Sequence, residues 1–79
     1  MKPSAAQFRA ARALLGWSQS ELAKRCKVGV NTIGRLETGE RAPGERIQED
    51  LIELFEDAGV VFTFAGSTEG VAITRAEES

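Results

Sequence analysis

The residue types that most often perform chemistry are scarce in this chain of 79 residues. It contains no His, the commonest general base and the commonest metal ligand in proteins. Its one cysteine, Cys26, can form neither an internal disulfide nor a cysteine-rich zinc site. Carboxylates remain as candidate acids, but a single small domain has little room for a closed pocket. The composition therefore argues against an enzyme and predicts no catalytic residue, metal site or cofactor.

The charged side chains form two unequal groups along the chain. Residues 1–46 hold nine Lys and Arg against four acids, a sum of +5, and residues 47–79 hold one Arg against eight acids, a sum of −7. Together they give the net charge of −2. An acidic protein can still bind nucleic acid when its basic residues lie together, and the N-terminal excess fits that interpretation. The alternative is that both groups are solvated helix faces.

Apolar residues at three-and-four spacing predict four helices before the C-terminal part of the chain. Capping boxes at Ser4–Gln7 and Ser18–Glu21 start the first two. The third begins near Val30 and stops at Thr38-Gly39, and a longer helix follows that ends at Gly59. The side chains predicted to face the core are Phe8, Ala11, Leu14, Leu15, Leu22, Ala23, Cys26, Ile33, Leu36, Ile47, Leu51, Leu54, Phe55 and Ala58.

After Gly59 the pattern changes to β-branched and aromatic residues. Residues 60–64 and 71–74 predict two strands, and the turn-forming residues 65–70 between them predict a hairpin. A lone two-stranded hairpin is marginal in water, so this one must pack on the helices or pair with a partner's strand.

The predicted fold class is mainly α, with four helices and a C-terminal β-hairpin. We expect a cytoplasmic protein that does not contact membranes, because no apolar run fits a signal peptide or a membrane span. A single cysteine also fits a reducing compartment. The predicted divisions are a helical domain over residues 1–59, with two short helices at about 18–38, a hairpin over 60–75 and a frayed tail over 76–79.

Two short helices joined by a tight turn suggest a helix-turn-helix on geometry alone. A longer run of residue types at fixed spacing supports a more specific assignment. It consists of Trp17-Ser18-Gln19-Ser20-Glu21-Leu22-Ala23, Val28, Thr32-Ile33-Gly34-Arg35-Leu36-Glu37-Thr38-Gly39 and Arg41-Ala42-Pro43, with Phe8, Ala11 and Arg12 before them. This pattern resembles the Cro and lambda-repressor-like family, of the xenobiotic-response-element type. The resemblance covers about half of the chain and leaves the hairpin outside. It implies a lambda-repressor-like helical bundle that binds double-stranded DNA and regulates transcription.

The outer face of the third helix carries the residues expected to read bases. They are Val30, Asn31, Thr32 and Arg35. Asn pairs naturally with adenine, Arg with guanine, and the methyl groups of Val and Thr with thymine. Phosphate contact or plain exposure is the alternative for Asn31 and Arg35.

Residues expected to contact DNA phosphates surround that helix. Ser18 and Gln19 lie at a helix N-terminus, where free N–H groups and the helix dipole favour an anion. In the family this glutamine contacts a phosphate and braces the recognition helix, whereas the alternative is a solvated first-turn residue. Arg41 follows the recognition helix, and Lys27 and Arg12 complete the predicted set.

Some positions bear on the fold of the motif itself. The resemblance implies a partly buried ion pair between Arg12 and Glu37, the alternative being two unrelated surface charges.

Lys27 replaces the family's turn glycine, which costs about 1–2 kcal/mol if the residue is left-handed. Gly29 replaces the usual serine cap of the third helix and is weaker by a few tenths of a kcal/mol. Gly34 stands inside a helix at a cost of about 1 kcal/mol relative to Ala, and its small size permits close approach to DNA or to the second helix.

One recognition helix reads only a few base pairs, so specific affinity normally requires two related by a two-fold axis. We therefore expect a homodimer on a pseudo-palindromic operator, acting as a repressor or autoregulator of a bacterium, phage or mobile element. The hairpin is the predicted dimerisation element, since a paired edge strand is no longer exposed. Its predicted contact residues are Val60, Phe62, Phe64, Val71 and Ile73.

Two other functions stay open from the sequence. In one, the chain is an antitoxin or controller protein whose hairpin completes a sheet in a protein partner. In the other, it is a protein-interaction module, such as an anti-activator, that uses the hairpin or the acidic fourth helix and does not bind DNA. The acidic balance and Lys27 favour that module slightly. Polar and basic residues kept on one face argue against it: Gln19, Asn31, Thr32, Arg35 and Arg41.

Overall fold

The structure is a computed structural model, and it describes residues 2–74. Within that range the predicted mainly α fold with a C-terminal hairpin is confirmed. The helices are α1 (Ala5–Leu15), α2 (Gln19–Cys26), α3 (Val30–Thr38) and α4 (Glu45–Asp57), and the antiparallel strands are β1 (Val60–Ala65) and β2 (Thr68–Ile73). The predicted tail, 76–79, lies outside the described residues.

The first two helices begin at serine caps, but only one capping box is complete. The Ser4 hydroxyl accepts from the Gln7 amide at 3.2 Å, and Oε1 of Gln7 accepts from the Ser4 amide at 3.0 Å. Ser18 likewise accepts from the Glu21 amide at 3.0 Å. The Glu21 carboxylate, however, pairs with Arg25 at 2.9 Å. The second box predicted from the sequence is therefore wrong in its reciprocal half, because an i,i+4 arginine takes the carboxylate.

The turn between α2 and α3 rests on a left-handed lysine. Lys27 has φ 60° and ψ 43°, and among residues 2–74 it is the non-glycine residue with positive φ. Its amide donates to the carbonyls of Ala23 and Lys24, which closes the end of α2. Gly29 then caps α3 without a side-chain hydrogen bond. Lys27 and Gly29, the two residues that differ from the family pattern, therefore end α2 and begin α3.

The core lies where the four helices meet the hairpin. The Phe55 ring, fully buried, stacks on Phe8 at a centroid distance of 6.2 Å and on Trp17 at 5.9 Å. Leu14 is 39% exposed, so the prediction that it faces the core is wrong: it lies on the solvent side of α1. Cys26 is half-buried against the core. The buried apolar residues are Phe8, Ala11, Leu22, Ala23, Ile33, Leu36, Leu51, Phe55 and Val60.

The hairpin packs on the helices of its own subunit. Phe62 contacts Phe8 edge-on, with ring centroids 5.8 Å apart. Nε2 of Gln7, a residue only 3% exposed, donates to the carbonyls of Thr63 at 3.1 Å and Gly70 at 2.9 Å. One helix side chain therefore holds both strands.

This packing changes the surface predicted for dimerisation. Val60 is 2% exposed and belongs to the core, so it is not available to a second subunit. Phe62 and Val71 are half-buried and pack against that core. Phe64 and Ile73 are half-buried but lie outside the apolar cluster, so they are the predicted contact residues that a partner can still cover.

Replacing Lys27 with Gly tests the left-handed turn. We expect Lys27→Gly to raise the melting temperature, because glycine adopts φ near 60° without the steric cost of a side chain. Glycine also loses more entropy on folding, which leaves a net rise of about 2–5 °C in thermal denaturation. Lys27→Ala is the matched control, since it removes the charge but keeps Cβ, and it should leave the melting temperature nearly unchanged. A lower value for Lys27→Gly would contradict the turn.

Candidate nucleic-acid interface

The third helix presents a polar outer face and an apolar inner one. Ile33 and Leu36 are buried, at 1% and 4% exposure. Asn31 and Arg35 are exposed, and so is Val30, at 43%. Three of the four residues predicted to read bases therefore share one accessible face. The fourth, Thr32, lies on the flank of the same helix and is half-buried.

An open recess of about 660 Å³ lies between this face and the start of α2. Gln19 forms the α2 wall. The remaining lining comes from α3 and the residues just after it: Val30, Asn31, Gly34, Arg35, Thr38 and Glu40. The structure thus brings one predicted phosphate contact next to three predicted base readers, with no α4 residue in the lining.

A buried carboxylate fixes the orientation of α3. Glu37 is 3% exposed, and it accepts from Nε of Arg12 at 2.6 Å and from Nη2 at 3.0 Å. Gln19 donates its Nε2 to the same carboxylate at 3.1 Å. Charge-assisted bidentate bonds of this kind are the strong ones in proteins. The carboxylate therefore joins α1, α2 and α3 at a single point.

All three guanidinium nitrogens of Arg12 form hydrogen bonds within the subunit. Its third nitrogen, Nη1, donates to the carbonyl of Trp17 at 2.9 Å, and the side chain is only 18% exposed. The hydrogen bonds to Glu37 raise the pKa of the Arg12 guanidinium above its ordinary value. The geometry therefore favours the ion-pair role expected for Arg12 and gives no support to its phosphate role.

Arg9 is a member of this network that the sequence reading missed. Its Nη1 donates to the main-chain carbonyl of Glu37 at 2.9 Å, near the C-terminus of α3. A cation is favourable there because carbonyls without helical partners point outward. The signal was the three-residue spacing of Arg9 and Arg12, which places both on one side of α1.

The other predicted phosphate contacts lie at different places. The Ser18 hydroxyl accepts from the Glu21 amide, which leaves its O–H proton able to donate to a phosphate at the start of α2. Arg41 is exposed just beyond α3, where its amide donates to the carbonyl of Arg35 at 3.3 Å. Lys27 is exposed too, but it borders a separate groove between α2 and α4. The structure therefore does not bring Lys27 to the recess.

Cys26 lies in that separate groove, away from the recess. Burial raises the pKa of its thiol, and the negative charge of Asp50 raises it further. The thiol consequently stays protonated at neutral pH, which fits a small packing residue.

A capped helix, a tight turn and a second helix with an accessible polar face define a helix-turn-helix, a class of DNA-binding domain. The helix-turn-helix family model of the Cro/C1 type matches residues 8–56, well over half of the chain. The protein belongs to this family, as its resemblance predicted, and the family is one of DNA-binding transcription regulators that are not normally enzymes. A comparison with curated proteins gave no significant match. Among residues 2–74, no helix has the length and apolar character needed to cross a membrane.

The Arg12–Glu37 pair should contribute far more to stability than an exposed pair. Glu37→Gln leaves a poorly exposed guanidinium without its counter-charge, and we expect a loss of about 2–4 kcal/mol in the free energy of unfolding. The matched control, Glu21→Gln, removes a pair whose side chains are 41% and 44% exposed, and should cost less than about 0.5 kcal/mol. Urea denaturation measures both losses. If they were equal, the buried carboxylate would not be what fixes α3.

Proposed function

We propose that this protein is a sequence-specific double-stranded DNA-binding regulator of transcription, a repressor or autoregulator that acts in the cytoplasm. The observation that carries the proposal is the recess on α3, where Asn31 and Arg35 are exposed beside the N-terminus of α2. A recognition helix inserted in the major groove contacts base edges with residues of this kind.

The exposed side chains of α3 offer donors and acceptors that differ in reach. The Asn31 amide can bond both N6 and N7 of an adenine, and the Arg35 guanidinium can bond O6 and N7 of a guanine. Val30 and Thr32 add methyl groups that fit thymine. Because Glu37 holds α3 against α1 and α2, these side chains would meet the bases from a fixed helix.

Phosphate contacts would set the position of the helix along the duplex. Gln19 has one amide proton committed to Glu37, so its second amide proton and the first-turn amides of α2 are what it offers to a phosphate. Arg41 and Lys27 are exposed basic residues that follow and precede α3 in the chain, and Lys27 would reach a phosphate from the groove between α2 and α4. The acidic residues of α4 do not line the recess, although Glu40, just after α3, does. Glu45 and Asp50 of α4 line the groove beside Lys27.

A salt titration with selected DNA tests the proposal. Duplexes enriched by the protein from a randomised library should bind far better than random duplex, with affinity falling steeply as salt rises. Asn31→Ala and Arg35→Ala should each lose about 5- to 150-fold of that discrimination, whereas Arg41→Ala should weaken both duplexes alike and reduce the salt slope by about one. Lys24→Ala, which removes an exposed lysine of α2 that lines neither the recess nor the groove beside Lys27, is the matched control and should change neither quantity.

The absence of any binding at low salt would overturn the proposal. It would favour the protein-interaction alternative, in which the acidic α4 or the hairpin contacts a protein partner. Uniform binding to every duplex, with no enrichment from the library, would leave a DNA-binding protein that does not read sequence.

We also propose that the protein binds its operator as a homodimer through the hairpin. Within residues 2–74, each strand pairs only with the other, so each has an edge without a strand partner. Such edges are normally covered, and a second copy can pair with one across a two-fold axis. Phe64 and Ile73 would then be covered by the second copy. The two recognition helices should meet half-sites about 34 Å apart on a pseudo-palindrome.

Charge placed at Phe64 tests the dimer. We expect Phe64→Lys to sediment as a monomer and to lose at least about tenfold in affinity for the full site, because one half-site supplies too few contacts. Lysine faces Glu69 across the hairpin, so the hairpin itself should persist. Thr63→Lys is the matched control, an exposed neighbour on the opposite face that should leave the dimer intact. A wild type that stays monomeric on a single asymmetric half-site would contradict the dimer.

A further inference from the structure

No contact within the subunit requires glycine at position 34. A Cβ built on Gly34 would have no atom within 4 Å apart from its own helix backbone and chain neighbours. Gly16 and Gly39, in contrast, end helices at φ 72° and 77°, and a Cβ on Gly59 would lie 2.5 Å from the Thr74 carbonyl oxygen. Close packing against α2, one of the two explanations open from the sequence, is therefore excluded.

A glycine in the interior of a helix destabilises that helix relative to alanine. Gly34 carries this cost on the side of α3 that lines the recess, between Gln19 and the exposed base-reading face. Val30 is four residues before it and Asn31 is three residues before it, so both neighbour it on the helix surface. The bare backbone at Gly34 thus borders a methyl-bearing side chain and a short amide.

The short side chain of Asn31 limits how far α3 can stand from the bases. Asparagine reaches an adenine edge only when the helix backbone is close, whereas arginine reaches from further away. A side chain at position 34 would hold the helix away from the base edge that Asn31 must reach. The empty position therefore favours close approach on the Asn31 side of the recess.

We propose that Gly34 is a specificity-determining residue that seats the C5-methyl group of a thymine, against its backbone and beside Val30. An A·T pair presents the adenine N6 and N7 groups and this methyl group together in the major groove. Asn31 bonds the adenine of a pair in the half-site, and the recess at Gly34 receives the methyl group of the same pair or its neighbour. The inference rests on the proposed function and names the base that this part of the site selects.

The test combines a protein substitution with the removal of one DNA methyl group. The probe is the duplex that the wild type selects from a randomised library, with each thymine of the half-site replaced singly by deoxyuridine. At one position the wild type should lose about 4-fold in affinity, the value of one buried methyl group. Gly34→Ala should lose at least about tenfold on the thymine duplex and regain part of that loss on the deoxyuridine duplex, because its own methyl group occupies the vacated space.

Stability and a second glycine keep the test independent of folding. Gly34→Ala should raise the melting temperature by about 2–8 °C, since it removes a helix-interior glycine from open space. Gly44→Ala is the matched control: it also adds a methyl group in open space at an ordinary φ of −65°, but at the start of α4, and its DNA affinity should equal that of the wild type.

The outcomes separate this inference from the proposed function. Binding of the selected duplex by the wild type, with equal binding by Gly34→Ala, would overturn the inference alone. A lowered melting temperature for Gly34→Ala would also overturn the inference alone. The same holds if no single replacement of thymine by deoxyuridine in the half-site lowers the affinity of the wild type more than that of Gly34→Ala. A wild type that selects no duplex at all would overturn both.

Discussion

The helix-turn-helix of this protein depends on one buried carboxylate. Glu37 receives hydrogen bonds from a guanidinium on α1 and an amide on α2, and its carbonyl receives another from Arg9. A carboxylate buried without such partners would cost several kcal/mol, so the three helices must come together for Glu37 to be tolerated. That requirement holds α3 in one orientation, and every contact proposed for the DNA face assumes that orientation.

Most of the helical architecture could be predicted from local rules. Helix order, the hairpin and the left-handed position at Lys27 follow from apolar spacing, serine caps and a family pattern whose offsets are fixed. Predictions failed where two side chains compete for one group. Glu21 had two acceptable partners, and the sequence could not show that Arg25 would take it from the Ser18 amide. The prediction for Leu14 failed for a different reason: the buried face of α1 is formed by Gln7, Phe8 and Ala11, and three-and-four spacing alone did not show where that face ends.

The candidate site was predictable in composition but less so in arrangement. Asn31 and Arg35 lie on the expected face because helical periodicity alone decides it. The separation of Lys27 from the recess depends on the angle between helices, and the exclusion of Val60 from the outer surface depends on where the hairpin packs. Both are tertiary facts that no local pattern contains.

The Gln7 amide has a consequence for how the chain folds. It joins a residue near the N-terminus to carbonyls 56 and 63 positions later, and Ser4 bonds Glu69 across 65 positions at 2.7 Å. Removing the hairpin would leave a buried amide without acceptors and would uncover the Phe8 and Phe55 rings. The segment that matches the family therefore ends before the cooperative folding unit does. Long-range closure of this kind ties the last strand to the first helix, so local opening of the hairpin would also loosen the helix that carries Arg9 and Arg12.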